Sequence, residues 1–314
     1  MESTLDPVLG AVLPVFGLVA CGYLAGRLGL VTQASSEALN QFVYAFALPA
    51  MLFIAVYRGS LDEILGSGTF LAAVVGATLA TAIAGFLLSY FVSGAPPAES
   101  TLRGLNASFA NTGYLGIPLV TVAYGESAAL PAALATVATN IVSFALAIVC
   151  IELFVNPRRG GVSRALSGVA RSPLIWPIAL AIALVALDVR VPVPIERFAG
   201  LLAAAAGPCA LFAIGLFVSR LSLRAGAASS WQSAALKLFL HPLLMALLVF
   251  TLLPVDPFWA RIAVVCASLP LGATAFVLAQ RYKLLEAETS SGAVLSTAAS
   301  VITVSIVMAL MAAH

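Results

Sequence analysis

The residues best suited to chemistry are few and sit in two interruptions of otherwise apolar runs. Asn111, Thr112, Gly113, Gly116 and Pro118 fall within "NTGYLGIPL" (111–119), and Ser268, Pro270, Gly272 and Thr274 within "SLPLGATAF" (268–276). Amides, hydroxyls and backbone loosened by Gly and Pro do not make or break bonds; they bind. Proline removes a donor and clashes with the preceding turn, and glycine permits unusual backbone angles. A helix broken in this way exposes a half-helix N-terminus whose free N–H groups and partial positive charge suit an anion. Enzyme signatures are missing. There is no Walker A sequence, no G-x-S-x-G, no H-E-x-x-H and no Cys/His cluster at ligand spacing, so neither an enzyme, a cofactor nor a metal is expected. His241 stands before Pro242 in an apolar run; it reads first as a packing histidine with its hydrogen bonds satisfied, and second as a group that titrates near neutrality. Cys21, Cys150, Cys209 and Cys266 read as small buried side chains.

The elements that must hold these residues are membrane spans. The chain has 314 residues, 62% hydrophobic and 9% charged. Soluble domains carry about 25% charged residues, so this chain needs a bilayer as solvent. A net charge of +2 gives no reason to expect nucleic acid. Ten segments approach the ~20 apolar residues a span requires: 6–29, 36–57, 67–91, 101–124, 129–155, 173–190, 197–219, 231–253, 258–281 and 288–312. Glu2 and Asp6 replace the basic start of a signal peptide, so the first segment reads as retained.

Lys and Arg mark the cytoplasmic side. Odd-numbered connections and adjacent helix ends, Lys237 included, hold eleven of the fifteen, which places both termini outside the cytoplasm. The central basic linker, 157–172, divides the chain into five segments in 1–156 and five in 173–314. A shift of 159 residues lays Pro14 on Pro173, Pro49 on Pro208, Asn111 on Pro270 and Gly113 on Gly272. Five spans per half force the second half to enter from the opposite side, an inverted repeat. Paired interruptions at matched positions of such repeats point to a transport site. Pro49 and Pro208 read as kinks of the second and seventh segments, with substrate contact a secondary reading.

"NTGYLGIPL", "LPLGATAFVLAQRY" (269–282), "GPCALFAIGLF" (207–217) and "LNQFVYAFALPAMLF" (39–53) resemble the auxin efflux carrier family, and the similarity runs over nearly the whole chain. The resemblance implies an all-α polytopic membrane protein of ten helices in two inverted five-helix repeats. Segments 1, 2, 6 and 7 would form a scaffold. Segments 3–5 and 8–10 would form a transport domain, with the fourth and ninth broken and crossing. It also implies a homodimer, an elevator-like motion and transport of organic anions, either auxin-like monocarboxylates or malonate and malate. Carried over by residue, Asn111 matches the crossover Asn that contacts substrate carboxylate, Pro118 and Pro270 match the crossover prolines, and Asn140 falls where a polar support residue is expected. The third segment, "GATLATAIAG" (76–85), lacks the acidic and basic residues of plant members, which puts a charged support site in doubt.

Four hydroxyl residues, Ser108, Thr112, Ser268 and Thr274, stand equally between ligand contact and bonds back to their own helices. Glu152 reads as an interfacial partner of Arg158 and Arg159. With no Lys or Arg seen near the breaks, a monocarboxylate with an apolar body is favoured over a dicarboxylate. With no carboxylate there, uniport driven by membrane potential is expected. The substrate is thus a small organic anion carried across the cell membrane. Sodium- or proton-coupled symport of the bile-acid-transporter type is the alternative, and a channel the third class.

Overall fold

In lipid, backbone N–H and C=O groups must be satisfied within the segment that carries them. The computed structural model accordingly describes residues 5–155, 172–221 and 227–312 as helices and connections, with one isolated antiparallel bridge, Ala110 to Leu271. Among the described residues, seven helices are long and apolar enough to cross a membrane. They are α1 (Leu5–Arg27), α2 (Gln33–Tyr57), α3 (Gly68–Val92), α6 (Ala129–Val155), α8 (Val193–Arg220), α9 (Ser229–Leu252) and α12 (Glu286–Ala312). The other three apolar segments contain shorter helices. The sixth gives α7 (Ile175–Ala186), the fourth is split into α4 (Pro97–Ser108) and α5 (Thr112–Tyr124), and the ninth into α10 (Pro257–Ser268) and α11 (Thr274–Tyr282). The basic linker, apart from Ser172, lies outside the described residues, as do Arg158 and Arg159.

Local chemistry sets the ends. Thr32 caps α2 by accepting from the Ser35 N–H, and Asp256 caps α10 by accepting from the N–H groups of Phe258 and Trp259. Pro97 and Pro257 occupy the first helical turn, where a missing N–H costs nothing. Gly125, with φ of 83°, ends α5 in a conformation that favours glycine. The two short half-helices α4 and α10 are both twelve residues long and are displaced by the same 160 residues (97 to 257, 108 to 268). A five-residue π-helical segment precedes each, at Leu88–Val92 and Leu248–Leu252.

Between lipid-immersed helices there is no water to expel, so association relies on close van der Waals packing and small residues. α1 and α8 meet this way. A Cβ on Gly22 would lie 2.1 Å from the Phe212 carbonyl oxygen, and one on Gly215 2.0 Å from that of Val19, so the two backbones touch. The interior holds Leu48, Leu52, Leu115, Ile117, Leu119, Leu211, Leu216 and Ile262, all fully buried. Trp176, Phe198, Trp231, Phe239 and Ile302 are exposed in the isolated chain and face the apolar solvent that the composition demands.

Polar contacts pin α4 to α12. Arg103 donates to both carboxylate oxygens of Glu288, Nε to Oε1 at 2.8 Å and one terminal nitrogen to Oε2 at 2.9 Å. Asn106 Nδ2 donates to Thr289 Oγ1 at 2.9 Å. With Glu288 only 4% exposed, this pairing is far from a loose surface bridge; removing one partner would leave a buried charge uncompensated.

Candidate functional site

The two interruptions lie against each other. The Asn111 N–H donates to the Pro270 carbonyl at 2.9 Å, and the Gly272 N–H donates to the Phe109 carbonyl at 3.1 Å. Each break thus satisfies backbone groups that a helix would otherwise have satisfied internally. The Leu271 N–H donates to Ser296 Oγ on α12 at 3.1 Å, which anchors the second break. Phe109 and Asn111 leave helical geometry, at φ/ψ of −80°/103° and −78°/55°.

The glycines act by size rather than by unusual angles. Gly113, Gly116 and Gly272 all have ordinary negative φ, contrary to the expectation from sequence. A Cβ on Gly272 would sit 2.4 Å from the Phe109 ring, and one on Gly116 2.7 Å from Leu269, so both permit close approach across the breaks. Pro118 lies in the first turn of an ordinary α-helical stretch, Ile117–Tyr124, six residues beyond the point where α5 begins. Pro270 is within its break.

A cavity of about 660 Å³ runs to this junction. Of the residues singled out from sequence, it brings together Asn111, Thr112, Gly113, Asn140 and Thr274. The Asn111 side chain makes no capping bond to α5, so its amide is available to a ligand. Thr112 Oγ1 is buried without a partner. Asn140 Nδ2 donates to the Thr136 carbonyl at 2.7 Å, which orients the amide along the wall. In the first turn of α5 the Thr112 N–H donates to the Ala110 carbonyl at 2.9 Å and the Leu115 N–H to the Asn111 carbonyl at 3.1 Å, which leaves the N–H groups of Gly113 and Tyr114, two residues of the cavity wall, without a backbone acceptor. Ser108 and Ser268, by contrast, bond back to the Gly104 and Val265 carbonyls.

Pro118 and Pro208 line a second cavity of about 910 Å³, with Arg58, Glu126 and Arg197. The two cavities lie at opposite ends of the same helices. On α2 the first takes Glu37 to Leu48 and the second Met51 to Arg58; on α5 the first takes Thr112 to Tyr114 and the second Ile117 to Val122. Leu115 and Gly116, both buried, separate them along α5. Pro49, Pro270 and Gly272 line neither cavity.

Sequence reasoning passed over several wall residues. Glu37, Gln41, Tyr44 and Leu48 follow one another at three- and four-residue spacing on one face of α2, and all four line the first cavity. That polar stripe inside an apolar segment was the signal available. Arg281 also lines the cavity, with its guanidinium 5.7 Å from the Tyr282 ring centre. The argument against a dicarboxylate, which rested on the lack of a nearby basic group, therefore falls.

Two further readings change, and a third, the pairing of Glu152 with Arg158 and Arg159, has its expected partners outside the described residues. Lys237 lies within α9 with no exposure, and its Nζ donates to the Ala267 carbonyl at 2.6 Å, so it is an interior residue rather than a helix-end marker of topology. His241 is 2% exposed with neither ring nitrogen partnered, so it is not a satisfied packing histidine. Glu152 is buried and accepts from the Tyr282 hydroxyl at 3.0 Å.

A family model described as membrane transport protein matches residues 7–168 and again 163–308. A Rhizobium meliloti protein named "Putative malonate transporter" is 34% identical over 301 residues, covering 95% of this chain and 93% of that protein. "Uncharacterized transporter YfdV" of Escherichia coli K12 is 26% identical over 288 residues, covering 88% of each chain. An "Uncharacterized transporter" of Methanothermobacter thermautotrophicus is 25% identical over 237 residues, covering 75% of this chain and 76% of that protein.

Proposed function

This chain belongs to the membrane transport protein family, which includes the auxin efflux carriers, and from that premise we propose that it is a secondary carrier of small organic anions. It is an integral membrane protein and not an enzyme. The observation that carries the substrate class is the first cavity. An unbonded amide (Asn111), an unpartnered hydroxyl (Thr112) and a half-helix N-terminus converge where the two breaks pair, with Asn140 and Thr274 in the same wall. Such a set of donors suits a carboxylate. The volume is in the range of small-molecule sites. Arg281 adds a cationic group on the cavity wall, and the Rhizobium relative is named for malonate, so carboxylates of malonate or malate size are included beside monocarboxylates.

In this reading the ten apolar segments are ten spans in two inverted repeats, with both termini outside the cytoplasm of the cell membrane. The equal lengths and common displacement of α4 and α10 support the repeat. α1, α2, α7 and α8 form the fixed part, held by the glycine contact of α1 with α8. α3–α6 and α9–α12 move as one body, braced by Arg103–Glu288, in an elevator-like step within a homodimer. Pro118 and Pro270 set the crossing of the broken helices, and Pro49 and Pro208 bend α2 and α8. Two cavities reached from opposite ends of α2 and α5 favour alternating access over a continuous pore.

Purified protein in liposomes, assayed with a panel of labelled mono- and dicarboxylates, tests this. Saturable uptake with accelerated exchange against internal unlabelled anion is expected. Unsaturable conductance would replace the carrier by a channel, and no uptake of any carboxylate by folded protein would overturn the substrate class.

A further inference from the structure

A fully buried lysine within a membrane-spanning helix is a functional group by default, because an unpaired charge there is costly. Lys237 occupies the π-helical segment Leu236–Leu240 of α9, a local geometry frequent at functional sites. Its Nζ meets the Ala267 carbonyl, one of the last four carbonyls of the half-helix α10, to which the helix itself supplies no N–H at i+4. The negative end of that half-helix is where carriers with broken helices place a coupling cation. Here a side-chain ammonium fills the position. One turn further along α9, on the same face, stands His241, buried and with both ring nitrogens unpartnered. Lys237 and His241 together offer a basic site in which one proton is held and two are opposed by repulsion.

Among the described residues no carboxylate is paired with Lys237. α10 contributes Cys266, which faces Lys237, and Arg261, near the start of that helix. α4 contributes Glu99 and Arg103, and α12 contributes Glu286 and Glu288, of which Arg103 and Glu288 are bonded to each other. Within α3, Gly68–Leu87 carries no ionisable residue. The partner that would balance a protonated Lys237 is therefore the anion itself. Ala267 stands three residues before Pro270, whose carbonyl holds the Asn111 N–H, a span of at most about 11 Å. From Nζ through Ala267 and Pro270 to Asn111 the path is at most roughly 16 Å, and at that range opposite unit charges shift each other's binding several-fold.

Resting on the carrier reading above, we propose that Lys237, with His241 beside it, is the proton-binding site of the transporter, so that anion and proton bind in concert and cross together. The amine takes one proton on the side where the anion enters and returns it where the anion leaves. This replaces the uniport expected from the lack of carboxylates at the breaks.

The test uses the wild type, Lys237→Met and His241→Gln in liposomes with potential clamped at zero, labelled malonate outside and a pH dye inside. A tenfold inward proton gradient should give the wild type roughly tenfold malonate accumulation, as one-to-one coupling requires, with internal acidification. Lys237→Met should retain malonate exchange but lose gradient-driven accumulation. His241→Gln should keep coupling with its pH profile displaced. Should Lys237→Met fail to fold, calorimetry of malonate binding to the wild type, in buffers of different ionisation heat, decides the matter: proton uptake on binding supports the proposal and its absence overturns it. Wild type that exchanges malonate but ignores the proton gradient, or accumulates it on sodium alone at constant pH, overturns the proposal while the carrier reading stands. Wild type that carries no carboxylate removes both.

Discussion

The two breaks are alike in backbone and opposite in chemistry. Each follows a twelve-residue half-helix, and each lends the other a carbonyl and an N–H. Yet the first presents Asn111 and Thr112 to the cavity, whereas the second presents no side chain there until Thr274, and Pro270 and Gly272 serve as backbone. Behind the second break stands Lys237 on the carbonyl of Ala267. The 160-residue counterpart of Lys237 in α3 is Ala77, a buried methyl group that carries no charge. Repetition provides a paired scaffold, since backbone hydrogen bonds ask little of side-chain identity. Recognition needs donors at one place only, so the symmetric frame is free to carry an asymmetric site.

The comparison can be broken most severely at the backbone junction. Gly272→Val puts branched carbons where even a Cβ would lie 2.4 Å from the Phe109 ring. Overpacking of this kind costs about 1–3 kcal/mol or more. The expected result is a lowered melting temperature in detergent and loss of transport. Gly113→Ala, whose Cβ would meet Thr136 Cγ2 at 3.4 Å, should melt like the wild type. Equal melting of the two variants would show that the breaks do not depend on that close approach.

The chemical side is sharpened at Asn111. Asn111→Ala should weaken anion binding by about 1.5–3 kcal/mol, roughly ten- to a hundredfold, as expected for one hydrogen bond to a charged group. Asn111→Asp, which sets a second negative charge against the ligand, should be weaker still. Titration of malonate binding to both variants at neutral pH checks the order. Tighter binding by the Asp variant would make Asn111 a structural residue, although its side chain makes no capping bond to α5.

The smallest effect separates two hydroxyls that are equivalent by sequence. Ser268→Ala removes a bond to the helix's own Val265 carbonyl and should leave affinity unchanged within measurement. Thr112→Val removes a buried hydroxyl with no protein partner and should cost a few-fold in affinity, in line with about 1 kcal/mol for a neutral hydrogen bond. Identical affinities would exclude Thr112 from the site.

Much of this was legible before any tertiary contact was known. Hydropathy over windows of ~20 residues depends only on neighbours in sequence, so the apolar segments and the interruptions within 111–119 and 268–276 could be read directly. Asn111, Thr112, Gly113, Asn140 and Thr274 could be nominated for the same reason, as polar or small residues in apolar runs. The face Glu37, Gln41, Tyr44 and Leu48 was readable by periodicity, but nothing local says that α2 faces the breaks.

What tertiary structure alone decided is which polar groups are free and which are taken. Ser108, Thr112 and Ser268 are interchangeable in sequence, but only Thr112 lacks an acceptor of its own. Gly272 is demanded by a ring from 163 residues away (109 to 272), not by its own backbone angle. Lys237 reads as a cytoplasmic marker until α10 brings a carbonyl to it from thirty residues on. Spans are fixed by the transfer of a contiguous segment into lipid, which sequence encodes position by position. Partnership, and with it the site, is fixed by distances between segments that no single segment contains.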